Sequence, residues 1–182
     1  MRSLLIIVFL TIIVKSYSQA PLSYTQVVYV DSTITKDQLF SSARIWFSST
    51  FLFSKAVLDV QDKESGELVG NGTFEFHATR LAMSCYEGYV KFFIRVYVKD
   101  GRYKYEFSNF VHHNTSNGVN GCEFGNITDE SIYSGDKTNW GTTKKLDQQA
   151  WDEIHSQITS TVGDLSESLK KQMIRSESKK DW

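Results

Sequence analysis

The chain reads as an α+β domain, a curved antiparallel sheet with two helices on one face, in the order βαββββα. Three observations predict this. Apolar residues alternate with polar ones over residues 89–113, on both sides of an Asp-Gly pair. Two other segments, 36–52 and 147–175, repeat their apolar residues every three or four positions instead. The 182 residues are 41% hydrophobic and 23% charged, with one Pro and two Cys. That composition excludes low-complexity disorder and a disulfide-dense mini-protein.

An export segment precedes the domain. Arg2 supplies a positive start, an apolar run extends from Leu4 to Val14, and Ser16 and Ser18 satisfy a small-x-small cleavage rule. This is the pattern of a secretory signal peptide over residues 1–18. The run is well short of the ~20 residues a spanning helix needs, which argues against an uncleaved anchor. Nothing later in the chain is long and apolar enough to span a bilayer. Removing residues 1–18 takes away Arg2 and Lys15, which leaves 18 basic residues against 21 acidic ones, a net charge of about −3. That balance disfavours nucleic-acid binding by bulk charge. The expected location is periplasmic or secreted.

The elements follow in order. Residues 24–31 are β-branched and aromatic and form the first strand. Leu39, Phe40, Ala43, Trp46, Phe47 and Phe51 form the apolar stripe of a helix over 36–52, with Thr35 as its N-cap. Residues 56–61 are a second strand, and a third begins at Glu67. Val69 is read as inward, whereas Phe74 and Phe76 lie on the opposite parity, so a β-bulge is expected at Gly70-Asn71-Gly72. A phosphate cradle there is disfavoured, since no Lys-Ser/Thr and no helix follows.

Asp100-Gly101 predicts a two-residue type I′ turn in which Lys99 faces Arg102. Ile94 then faces Phe107, Val96 faces Tyr105, Val98 faces Tyr103, Val90 faces Val111 and Phe92 faces Asn109. The other face collects Lys91, Arg95, Tyr97, Lys99, Lys104 and Glu106, with Arg95 opposite Glu106 as a solvated pair. A slip of one residue would mix the two faces. The sheet–helix domain thus covers residues 19–113. Residues 114–146 form an irregular, partly ordered excursion, for which a flap over a binding face, a disordered spacer and a hidden short strand near 123–127 are the competing readings. A second amphipathic helix over 147–175 packs on the sheet, capped by Asp147 with a Leu146–Trp151 staple. Residues 176–182 are a tail.

The chemistry-bearing residues are few. Cys85 and Cys122 lie in an oxidising compartment. The hairpin register brings residue 85 opposite residue 116, so a bridge to Cys122 is geometrically possible; a disulfide and two free thiols are the competing readings, and the disulfide is favoured. His112 and His113 point to opposite faces and cannot share a metal in a regular strand. His77 with one of them is a remote metal candidate. There is no zinc-binding spacing, nucleophile elbow, P-loop or dinucleotide fingerprint. No catalytic residue, cofactor site or metal site is assigned, and a non-enzymatic role is preferred without being settled. Asn71, Asn114 and Asn126 head N-glycosylation sequons, which matter only in a eukaryotic secretory pathway and are otherwise chance matches, the preferred reading.

The opening strand, the Trp46-bearing helix, the strand pair DVQDKESGELVGNGTFEF and above all IRVYVKDGRYKYEFSNFVHH resemble the domain of unknown function 4468 family of exported Bacteroidetes proteins. The resemblance covers residues 24–113. It implies a TATA-binding-protein-like fold and carries no catalytic residues. It does not imply DNA binding, which needs two such repeats and basic groove contacts. The expected role is a non-catalytic binding or assembly module of the bacterial cell envelope, with an unknown envelope protein as partner and no nucleic acid. The alternative is a carrier of a small apolar, lipid-like ligand, lined by Phe74, Phe76, Phe107, Tyr103 and Tyr105, although core packing is the default for all five. A hydrolase with a site visible only in three dimensions is third.

Overall fold

The hairpin of β4 (Gly88–Lys99) and β5 (Arg102–Asn114) is the centre of the sheet. The computed structural model describes residues 19–51, 58–115, 121–135 and 142–175. The predicted signal peptide and tail lie outside them. The remaining elements are β1 (Tyr24–Tyr29), α1 (Lys36–Thr50), β2 (Leu58–Asp62), β3 (Glu67–Phe76), a 3-10 helix over Leu81–Tyr86, β6 (Gly125–Asn126) and α2 (Lys144–Arg175). The sheet is antiparallel and unclosed, in the order β1-β5-β4-β3-β2, with β6 also on β5.

The expected register holds from Lys99↔Arg102 through Ile94↔Phe107 to Phe93↔Ser108. Even-numbered positions of β4 are buried and odd-numbered ones stay exposed or half-buried. The turn differs from expectation. Type I′ needs positive φ at both central residues, and here only Gly101 has it, at 69°. Asp100 is held otherwise by docking: its Oδ1 accepts the Lys36 amide at 2.6 Å, and the Gly101 amide donates to the Ile34 carbonyl. The turn thereby fastens the start of α1. Thr35 caps that helix through a full capping box with Gln38, worth about 1 kcal/mol.

Beyond Phe93 the register shifts, because β5 carries an extra residue. Lys91 pairs with Val111 and Val90 with His112, not with Val111 as the unbroken alternation predicts. Phe92 likewise has no single partner at Asn109. The bulge lies at Asn109-Phe110, and Asn109 has φ of 55°, a conformation in which Asn is one of the few tolerated side chains. The bulge restores burial to Phe110 and His112, both almost fully enclosed.

The bulge expected at Gly70-Asn71-Gly72 is absent. β3 and β4 pair without a break from Glu67↔Tyr97 to Phe76↔Gly88. Leu68, Gly70, Gly72 and Phe76 are buried in alternation, and Val69 faces outward. The glycines only looked like a parity switch. Gly72 is an inward position whose missing side chain is replaced by the Phe92 ring; a Cβ there would lie 2.4 Å from that ring. The irregularity sits on the neighbouring strand instead, between Leu58 and Val60.

Both helices cover the even-numbered face. The Tyr24 hydroxyl lies 2.8 Å from the Thr159 hydroxyl, and the Trp46 indole donates to Ser168 at 3.1 Å, which ties α2 to β1 and to α1. Trp46, Phe47 and Phe51 stack edge to face or tilted with centroids 5.0–6.2 Å apart. α2 begins a turn earlier than expected, at Lys144. Asp147 is therefore no cap; it is buried and accepts the Tyr86 hydroxyl at 2.7 Å. Thr143 caps the helix through its Oγ1 to the Leu146 amide; Leu146 then lies inside the helix, so the expected staple loses its place, and Trp151 donates to the Glu130 carbonyl.

The bulge yields a direct expectation. Asn109→Val should cost about 1–3 kcal/mol of unfolding free energy in urea titration, because a β-branched side chain is strained at positive φ. Asn109→Gly should leave stability nearly unchanged. Equal losses in both variants would show that the Asn side chain, not its backbone, matters.

Candidate functional site

The sheet has a covered face and an uncovered one. On the uncovered face directly paired residues form cross-strand rows. One row runs Tyr29–Arg102–Lys99, the next Val27–Lys104–Tyr97–Glu67, and the next Thr25–Glu106–Arg95–Val69–Val60. Val27, Tyr29 and Val60 are exposed large apolar residues, with Tyr29 at 73%. An open groove of about 380 Å³ crosses the first two rows, lined by Val27, Tyr29, Tyr97, Lys99, Arg102 and Lys104. A wider shallow groove of about 700 Å³ lies at the other end, around Thr73, Glu75, Tyr89 and Lys91.

Charge is unevenly distributed over this face. Arg95 is answered by Glu106 at 3.4 Å, the cross-strand pair that the register predicts. Lys104 has its ammonium 4.4 Å from the Tyr97 ring centroid, a cation–π contact worth about 0.5–1 kcal/mol at an exposed site. Partial burial and the nearby Glu67 hold the Tyr97 hydroxyl above its ordinary pKa, so it stays a neutral donor. Among the described residues Lys99, Arg102 and Lys104 have no carboxylate within ion-pair distance. The groove is thus cationic and aromatic, without an acid in its lining.

Of the five residues expected to line an apolar chamber, Tyr103 reaches the first groove and Phe74 the second. Phe76, Phe107, Tyr103 and Tyr105 are buried in the continuous core, and Phe74 packs against Phe92 with ring centroids 6.1 Å apart. The histidines are dispersed. His77 lies between Glu75 and Glu87, whose hydrogen bonding raises its pKa. His113 sits on the uncovered side against Glu123 at 2.8 Å. Among the described residues no three potential ligands cluster around a metal position.

A polar knot at the N-terminal end of α2 joins segments distant in sequence, and of its parts the sequence suggests only the Cys85–Cys122 bridge. Cys85 and Cys122 stand in disulfide geometry, with Cα atoms 5.0 Å apart and 37 residues between them in sequence. The Cys122 amide also donates to the Cys85 carbonyl. Tyr86 stacks on Phe124 at 4.5 Å, and Phe124 meets Tyr133 and Trp151 edge on. His112 lies beneath. Its Nε2–H donates to the Tyr86 carbonyl at 3.0 Å, and its Nδ1 accepts the Phe124 amide at 3.2 Å. Both ring nitrogens are engaged only in the neutral form, and burial depresses the pKa. For His112 the available signal was the spacing Phe107, Phe110, His112, which no unbroken strand accommodates on one face.

Comparison with known proteins places this geometry. Residues 24–113 match the family model described as "Domain of unknown function (DUF4468) with TBP-like fold". A crystal structure of a TBP-like protein from Parabacteroides distasonis aligns with TM-score 0.50 and 15% identity, covering 82% of this chain and 93% of that one. A DUF4468 family protein from Bacteroides ovatus aligns with TM-score 0.51 and 12% identity, covering 82% of this chain and 86% of that one. At such identities the likeness shows the fold. No match was found among the curated proteins. Among the described residues no helix is long and apolar enough to cross a membrane.

The buried histidine sets a pH dependence. A folded-state pKa below the unfolded value of about 6.5 means that the unfolded chain binds the proton first as pH falls. Stability from His112 is therefore complete above about pH 6.5 and is lost as pH drops below that value toward the folded pKa. His155, also depressed by burial and opposed by Asp152 and Asp129, acts in the same sense. Glu123 opposes the shift of His112 and His113 reinforces it. Urea titrations between about pH 7 and 5 should show stability falling with acid. His112→Gln should start from lower stability but show a shallower acid limb, by up to about 1.4 kcal/mol per pH unit. An unchanged slope would mean that His112 does not take up a proton on unfolding.

Proposed function

We propose that this TBP-like domain is a non-catalytic binding or assembly module of the bacterial cell envelope, and that the uncovered sheet face is where it engages its partner. The observation that carries the reading is the contrast between the two faces. One is sealed by α1 and α2, while the other leaves Val27 and Tyr29 exposed beside Tyr97 and three cations that have no carboxylate partner among the described residues. Aromatic and Arg side chains on rigid strands are the residue types that dominate interface energetics. The core filling by Phe76, Phe107 and Tyr103 favours this reading over an apolar-ligand carrier.

Export underlies the location. Residues 1–18 are taken as a cleaved signal peptide, and a Cys85–Cys122 bridge suits an oxidising compartment. Closing a loop of this separation, 37 residues, stabilises by about 4 kcal/mol in the chain-entropy account. Protein purified from the periplasm should therefore resist alkylation until reduced, and reduction should lower its unfolding midpoint. Free alkylation of the native protein would remove the bridge and weaken the case for export.

The partner-binding face is tested by photocrosslinking. A benzophenone amino acid replaces Tyr97 or Phe93 on the uncovered face, or Ser41 on α1 as control, in cells that express the full chain. Discrete crosslinked products from positions 97 and 93, but not from 41, are expected. No product, or the same products from all three, would overturn the assignment of the face.

A further inference from the structure

Edge strands are normally blunted by charge, proline, bulges or shortness. β2 follows that rule: it is irregular between Leu58 and Val60 and carries Asp59 and Asp62. β1, on the opposite edge, does not. Its six residues, YTQVVY, hold no charge and no proline, and they pair with β5 without irregularity. The phase of that pairing is known. The Val30 amide donates to the Gly101 carbonyl, and residues directly opposite in an antiparallel pair alternate between bonded and non-bonded. Tyr24, Gln26 and Val28 therefore exchange bonds with β5. Thr25, Val27 and Tyr29 point their N–H and C=O groups away from it, at an edge that no described strand covers.

The same residues bring their side chains to the uncovered face, beside the cationic groove. A strand added to β1 would lie ~10 Å from β5, within reach of the long stem of Arg102 passing over Tyr29; the Lys104 ammonium rests 4.4 Å from the Tyr97 ring on β4 and would swing from it across Val27 to meet that strand. The side chains of that strand beside Tyr29 and Val27 would meet those cations, which have no carboxylate partner among the described residues, whereas the row through Thr25 carries Glu106, already paired with Arg95. The intervening side chains would border Val28 and Tyr24 on the helix side.

Resting on the reading of the uncovered face as a partner site, we infer that β1 is a docking edge for an extended acidic segment of a partner protein. The segment adds a strand beside β1 through the outward groups of Thr25, Val27 and Tyr29, and places its carboxylates against Lys104 and Arg102. Backbone pairing supplies affinity, and the cationic row supplies selectivity for acid.

The test uses the full mature chain and a fluorescein-labelled octapeptide of alternating valine and glutamate, followed by anisotropy. The glutamate peptide should bind at least roughly tenfold more tightly than its valine–lysine counterpart. Val27→Pro removes one outward N–H without touching the β5 ladder and should weaken binding by roughly tenfold or more. Val27→Thr, which keeps the amide, should bind nearly as the native chain does. Arg102→Glu with Lys104→Glu should abolish the preference for glutamate, which keeps the test decisive if the proline variant does not fold. Equal binding of the two peptides, no binding of either, or full binding by a folded Val27→Pro chain would overturn the inference. So would light scattering that shows a dimer dissolved by Val27→Pro, since a second copy would then be the occupant. Crosslinking from Tyr97 that persists in the Val27→Pro chain would leave the face assignment standing and remove only the docking edge.

Discussion

The architecture turns on one extra residue in one strand. β5 pairs with β4 along its whole length, while its other edge must serve β1 at residues 102–107 and β6 at 111–112. The bulge at Asn109-Phe110 makes the change possible. It bends the strand, reverses its parity and turns Phe110 and His112 inward. The Phe110 carbonyl then accepts the Ile127 amide, and Leu22 donates to the Ile127 carbonyl. Without the bulge, His112 would face solvent and Val111 would be the buried residue, and the segment around residues 121–128 would have no edge to join.

From that point a second layer of order follows. His112, kept neutral, holds the Tyr86 carbonyl and the Phe124 amide together. Tyr86 reaches Asp147 in α2, and Phe124 stacks between Tyr86 and Trp151. The first turns of a long helix are thereby registered against the far end of the sheet. Its later turns meet β1 through Thr159 and α1 through Ser168. A polar contact inside such a cluster is costly to break on one side only, since the remaining partner is left buried and unpaired. The covered face is in this way sealed by the two helices, and the opposite face and the β1 edge are left uncovered by the described residues.

Much of this was legible in residue order. Thr35 was read as the cap of α1 and is one. The Asp100-Gly101 turn set Lys99 against Arg102, and from it came the pairing of Ile94 with Phe107 and of Arg95 with Glu106. The exposed Lys and Tyr row of the candidate face followed from the same register. The errors share a cause. Gly70 and Gly72 present no side chain, so hydrophobic alternation passes over them, and their inward role depends on Phe92 from the adjacent strand. Asp147 has the chemistry of a cap, and only a partner distant in sequence, Tyr86, assigns it to the interior.

Sequence alone determined the periodicities: which stretches alternate, which repeat at helical spacing, and which side of the central hairpin is oily. These are local properties, written every two or every three to four residues. Tertiary structure decided the parity of β5 past Asn109, the burial of His112 and Asp147, and which edge of the described sheet stays uncovered, and for Cys85 and Cys122 it chose between the bridge and the free thiols that residue order left open. Each of those depends on what a distant segment places beside a residue, and side-chain identity carries no record of its neighbour until the chain has closed upon itself.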